Sequence, residues 1–277
     1  MSEVLDALLT PLGQGFVRRA LYAGLTLGAA GALLGVFIVQ RGLGLLSDGL
    51  AHATFGGLAL GLLLGATVDR AMWVALPFTV AIALGIQYVR RRTTLGGDVA
   101  TGVFFAVSFA AGILFLGLRS ARSAPVNVEG LLFGSLLAVS PESLEVIVGV
   151  AVLVIAVLAW IGPRLAYATF DPELAALSGV PVAALEYLLL ALTALVVVVG
   201  VKTVGVVLVS AFVVIPAATA SLLGRTLGTI ALVAVGLSLA GTAFGLFASY
   251  HLNVATGATI ILTLGAMFFL ALVLRRR

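Results

Sequence analysis

Asp, Glu, Lys and Arg are spaced along this chain so that long stretches carry none of them. These stretches are Ala20–Gln40, Gly49–Val68, Ala71–Val89, Val99–Leu118, Val146–Pro163, Tyr187–Val201, Thr203–Gly224 and Thr226–Leu274. A helix needs about 20 mostly apolar residues to cross a bilayer. The last stretch is long enough for two crossings, and SYHLNVATG (Ser249–Gly257) divides it with polar and turn-forming residues. The pattern predicts an all-α, polytopic integral membrane protein with about nine transmembrane helices, or eight. A closed barrel would need period-2 alternation instead. No linker or short tandem repeat splits the chain, so 1–277 reads as a single transmembrane domain.

Composition sharpens this picture. Hydrophobic residues make up 62% and charged residues 9% of the 277, and the mean hydropathy is +1.27. A soluble chain carries about 25% charged residues. The balance excludes an ordinary soluble enzyme, a nucleic-acid module and a disordered segment. Small residues are abundant, with 33 glycines. They let membrane helices approach closely, with Gly35, Gly61 and Gly65 as examples on the first two spans. Cysteine is absent, which removes disulfides and thiolate metal sites. The opening MSEVLDALLTPLGQGFVRR is acidic before it is basic, without an apolar core, and does not read as a secretory signal.

The net charge of +4 reflects arginine placement. Odd-numbered spans end near Arg41, Arg90–Arg92, Arg164, Arg225 and Arg275–Arg277, nine arginines in all. The other side holds six basic residues, Arg18, Arg19, Arg70, Arg119, Arg122 and Lys202. The excess puts the N-terminus outside and the C-terminus in the cytoplasm, although the Arg18–Arg19 pair argues the other way.

Ionisable residues inside spans are costly, and so mark function. In GLGLLSDGLAHATFGG (Gly42–Gly57), Asp48 and His52 stand four apart. On a helix both project from one face. A carboxylate and an imidazole suit a borderline divalent cation such as zinc or manganese. Two ligands hold such an ion weakly, and two copies about a two-fold axis would supply four. The same spacing also serves a plain Asp–His hydrogen bond, or a helix start capped by Asp48 or Ser47.

FDPELAALSGVPV (Phe170–Val182) reads as a short helix on the arginine-rich side. Asp171 and Pro172 start it, Glu173 lies in its first turn, and Gly179 with Pro181 ends it. Such a segment suits docking of a cytoplasmic partner, or simply an interfacial helix. In VKTVGVVLVSAFVVIPAATASLLG (Val201–Gly224), Pro216 predicts a kink or break. Lys202 reads as an interfacial lysine whose stem snorkels. The Gly-x-x-x-x-Gly-Lys spacing of a phosphate loop is missing. His251 falls in the break between the last two spans, and Glu129 precedes Gly130–Val139, too short to cross alone. Both are candidates for an outer vestibule, and both also read as solvated loop residues. No Ser/His/Asp set, His-Glu-x-x-His motif or dinucleotide fingerprint is present, which points away from an enzyme.

Four segments together resemble one family, the membrane permease subunit of bacterial ABC importers for zinc, manganese or iron. LLSDGLAHA at Leu45–Ala53 is similar to that family's Leu-Leu-Gly-Asp-Ala-Leu-Ser-His-Ala. FDPELAALSGV (Phe170–Val180) resembles its coupling segment. VKTVGVVLVSAFVVIPAATA (Val201–Ala220) and TGATI (Thr256–Ile260) also match in order and spacing. The chain departs from the family pattern at Ser47, Gly49, Phe55-Gly56 and His251. The resemblance implies a multi-pass permease in the bacterial cytoplasmic membrane, itself without an ATP site. It implies a homodimer, separate cytoplasmic ATP-binding subunits, and an extracytoplasmic metal-binding protein that delivers the ion. Asp48 and His52 would line the metal path, and Asp171, Pro172, Glu173 and Gly179 would couple to the ATPase. The metal would be substrate, with no permanently bound cofactor and no nucleic-acid partner; membrane lipid would surround the chain. The rival reading is a secondary metal-ion transporter driven by an ion gradient, but such proteins show two related halves, and none are visible here.

Overall fold

The computed structural model describes residues 13–120 and 136–275. These form ten α-helices and a 3-10 turn at Leu136–Ala138, with no strand among the described residues. The helices are α1 (Gly15–Gln40), α2 (Leu46–Leu63), α3 (Val68–Arg92), α4 (Gly97–Ser120), α5 (Pro141–Phe170), α6 (Pro172–Leu177), α7 (Val182–Val204), α8 (Val206–Leu223), α9 (Leu227–Leu252) and α10 (Thr256–Arg275).

Each of the nine predicted apolar stretches is a helix, and α6 is the short extra one. Eight are long and apolar enough to cross a membrane by length and composition. The helix outside that set is α2, which has 18 residues and carries Asp48 and His52. Its polar residues cost it hydropathy.

Local chemistry sets the boundaries. Ser140 caps α5, its hydroxyl accepting from Ser143 N–H at 3.2 Å, with Pro141 in the first turn. Thr226 and Thr229 cap α9 reciprocally, side chain to backbone in both directions. Gly205 alone separates α7 from α8, at φ 92° and ψ 163°, a conformation open to glycine and closed to L side chains.

Three expectations are corrected. Of the kink or break expected at Pro216, the break does not occur, since α8 runs through it to Leu223; its neighbours Ala217 and Ala220 are fully buried against α1 and α9, and this packing holds the turn together. His251 belongs to the last turn of α9, and the break falls at Asn253, which takes the left-handed conformation at φ 54°. Gly65 serves a turn (φ 88°) with open space around it, not helix packing.

The helices alternate in direction. Arg41 at the end of α1, Arg91 at the end of α3 and Glu186 at the start of α7 meet in one cluster. Gln40 reaches Ser221 at the end of α8, and Leu45 before α2 meets Asp98 at the start of α4. One end of the bundle therefore collects the arginines that the sequence assigned to one side.

The core is apolar and dense, with Leu34, Ile38, Leu50, Phe55, Ile86, Leu189 and Phe212 almost fully buried. Buried hydroxyls bond back to carbonyls one turn earlier: Thr54 to Leu50, Thr193 to Leu189 and Thr242 to Ser238, at 2.7–2.9 Å. Trp73, Trp160, Leu232 and Leu262 are exposed, as a lipid-facing surface requires. Glycines remove side chains where helices touch. A Cβ at Gly35 would fall on the Val213 carbonyl of α8. On α2, a Cβ at Gly57 would lie 2.7 Å from Ala75 Cα, one at Gly61 2.9 Å from Ala71 Cα, and one at Gly56 2.5 Å from the Ser108 carbonyl. So α2 is clasped by α3 and α4 at backbone distance, and α1 by α8.

Candidate functional site

The first two turns of α2 carry Asp48 and His52 on one face, as their spacing predicts. Asp48 lies in the first turn, where the helix N-terminus favours a carboxylate. Leu45 is the residue before the helix, and no side chain caps it. Neither Asp48 nor Ser47 is a cap, which removes that alternative. The entry is fixed from outside: Leu45 N–H donates to Asp98 Oδ1 on α4 at 3.2 Å.

His52 Nδ1 lies 3.0 Å from the backbone carbonyl of Asp48 and 3.7 Å from its Oδ1. A carbonyl only accepts, so this bond requires the proton on Nδ1. In the neutral ring the lone pair is then on Nε2, the nitrogen a metal would take. A metal-binding histidine is commonly oriented by such a bond from its other nitrogen. The Asp48 side chain is half exposed and that of His52 one-quarter.

Two further elements complete the surroundings. From α8, the Ser210 hydroxyl stands 3.4 Å from Asp48 Oδ1 and 3.0 Å from the Val206 carbonyl. From α4, Phe105 and Phe109 meet the His52 ring edge-on, with centroids at 4.8 and 5.6 Å. Sequence reasoning missed all three residues. Phe105 and Phe109 are spaced i,i+4 and so share a face, which was a usable signal; a lone serine in an apolar run was not. No third His, Asp or Glu joins Asp48 and His52 among the described residues.

The predicted docking segment is built at the arginine-rich end. Asp171 caps α6, its Oδ1 accepting from Leu174 N–H at 2.9 Å, with Pro172 in the first turn. At the other end Gly179 takes φ 81°, which lets Val180 N–H reach back to the Ala175 carbonyl at 3.0 Å. Tyr167 on α5 bonds to Ser178 at 3.0 Å. Leu177 is 86% exposed, with Leu174 and Phe170 exposed beside it. A hollow of about 430 Å³ opens next to α6, lined by Gln87, Arg90, Arg91, Pro172, Glu173 and Glu186 among others.

Glu186 is the hub behind this hollow. It accepts from Arg41 at 3.1 Å, from Gln87 at 2.7 Å and from Arg91 at 3.3 Å. Arg41 also donates to Thr169 on α5 at 3.1 Å. Burial pushes the Arg41 guanidinium below its ordinary pKa, Arg90 acts in the same direction, and Glu186 opposes both.

The two vestibule candidates are not brought to this site. Glu129 lies outside the described residues. His251 is exposed near the opposite end, its ring edge-on to Tyr250.

Comparison with known proteins gives a consistent answer. The family model described as ABC 3 transport family matches residues 14–275. The manganese transport system membrane protein MntC of Listeria innocua is 33% identical over 257 residues, covering 93% of this chain and 90% of that protein. The manganese import system permease protein ScaB of Streptococcus parasanguinis is 33% identical over 92% of this chain and 89% of its own length. Among solved structures, a chain of PsaBC from Streptococcus pneumoniae in complex with Fab superposes with a TM-score of 0.81 at 30% identity, covering 98% of this chain and 94% of that one. With the match spanning nearly its whole length, the chain belongs to the ABC 3 transport family.

Proposed function

We propose that this chain is the permease subunit of an ABC importer that carries a divalent transition-metal ion across the bacterial cytoplasmic membrane. The observation that carries the reading is the Asp48–His52 pair. A carboxylate and an imidazole sit on one face of α2, the long helix outside the eight most membrane-like ones, with Nδ1 held by the Asp48 carbonyl so that Nε2 of the neutral ring is free to bind. Manganese is the first cation to consider, because it appears in the names of the relatives at 33% identity. Two copies of the chain would face each other across a two-fold axis and double the donor set. An extracytoplasmic metal-binding protein would deliver the ion. Cytoplasmic ATP-binding subunits would engage α6 and the exposed Leu174 and Leu177, with the arginine-rich end facing the cytoplasm. Their closure would move the helices as levers and switch access from one side to the other. A transit site must release its ion, so a small set of oxygen and nitrogen donors suits it better than a closed cage.

The test is manganese uptake into vesicles holding the permease and its ATP-binding subunits, normalised to assembled complex. Asp48→Asn is expected to cut uptake by more than tenfold and His52→Ala by several-fold, both leaving assembly intact. Near-normal uptake in the double variant would end this reading.

A further inference from the structure

The Ser210 hydroxyl has one proton and two nearby acceptors. The Val206 carbonyl at 3.0 Å is the closer, and Asp48 Oδ1 at 3.4 Å is at the limit of a hydrogen bond. The shorter contact is the back-bond to Val206, one turn earlier on α8, and the hydroxyl can rotate its proton onto it and away from Asp48. In that rotamer two oxygens, Ser210 Oγ and Asp48 Oδ1, face each other with lone pairs and no proton between them. That arrangement is unfavourable as it stands and becomes favourable when a cation enters. Oxygen ligands lie about 2.1–2.4 Å from a hard divalent ion, so neighbouring octahedral ligands are about 3.0–3.4 Å apart. The observed separation sits at the upper edge of that range.

We propose that Ser210 is a third metal donor and sets which metal the permease prefers; this rests on the metal-transport reading above. Asp48 and His52 alone, doubled across two copies, give four donors, a set that suits tetrahedral zinc. Adding Ser210 from each copy gives four oxygens and two nitrogens. Six donors rich in oxygen suit an octahedral, harder ion such as manganese. The serine contributes a weak, neutral oxygen, in keeping with an ion that must leave again.

The experiment uses the intact permease with its ATP-binding subunits in vesicles, with manganese chloride and zinc chloride offered separately and in competition. Ser210→Ala is expected to lower manganese binding and uptake about tenfold while zinc binding changes less than twofold. Ser210→Thr keeps the hydroxyl and should restore the manganese preference. Ser210→Cys, with a softer donor, should shift the preference toward zinc. If Ser210→Ala lowers both metals equally, the residue only positions Asp48 and the assignment as a donor is wrong; if neither metal changes, it is equally wrong. If Asp48→Asn with His52→Ala binds both metals like the parent protein, the metal reading itself falls and takes this assignment with it.

Discussion

Arg41 and Glu186 close an ion pair at 3.1 Å that joins the end of α1 to the start of α7, with only 7% of the arginine side chain exposed. Two nearly buried charges stabilise little in themselves, but removing one strands the other. Glu186→Ala should therefore destabilise the detergent-solubilised protein by about 3–5 kcal/mol, read as a drop in unfolding temperature. Arg41→Met combined with Glu186→Leu should recover most of that loss. Equal losses in the single and double variants would mean the pair is not the cause.

The α6 segment should uncouple without unfolding. Asp171→Ala removes a cap worth about 1 kcal/mol, and Gly179→Arg forces a side chain into a left-handed conformation (φ 81°). Both changes lie at the surface, outside the bundle core. Vesicles with either variant should show normal assembly but reduced metal uptake per ATP hydrolysed. An unchanged ratio after deletion of residues 171–179 would remove α6 from the coupling path.

Gly35→Ala should fail at the level of assembly, because its Cβ would collide with the Val213 carbonyl, a backbone atom that has no rotamer to escape into. Gly102→Ala and Gly228→Ala, which meet nothing within 4 Å, serve as controls and should accumulate normally. The readout is the yield of monodisperse protein.

Nine crossings put the two termini on opposite sides of the membrane, and eight put them on the same side. Reporter fusions at residues 1 and 277 should report opposite compartments, the C-terminal one cytoplasmic. Termini on the same side would mean that α2, the helix outside the eight most apolar, does not cross.

The parts legible in the sequence were those that depend on local composition. Charge-free stretches located every long helix, because lipid forbids unpaired charge whatever the tertiary context. Asp48 with His52, and Asp171 with Gly179, were legible because helical spacing and capping are local rules. Glu186 was overlooked: its partner Arg41 is 145 positions away, and nothing in VAALEYLLL separates a hub carboxylate from an interfacial one. Ser210 was hidden for a related reason. A serine bonded to the preceding turn looks like packing until another helix brings Asp48 to it. The break allowed at Pro216 did not follow because the rule for proline is set by isolated helices, whereas here buried alanines on two neighbouring helices pack against α8.

The glycine contacts set two close pairings within the bundle. α2 is locked to α3 and α4, and α1 to α8, each at backbone distance with no side chain to act as a cushion. Asp48 and His52 ride on the first pairing and Ser210 on the second, so the 3.4 Å gap between Asp48 and Ser210 spans the seam. Were one pairing to slide past the other, the Asp48–His52 spacing would stay untouched and only the reach to Ser210 would change. Grip on an ion would then be a function of register, and letting go would mean dropping one ligand from the coordination shell.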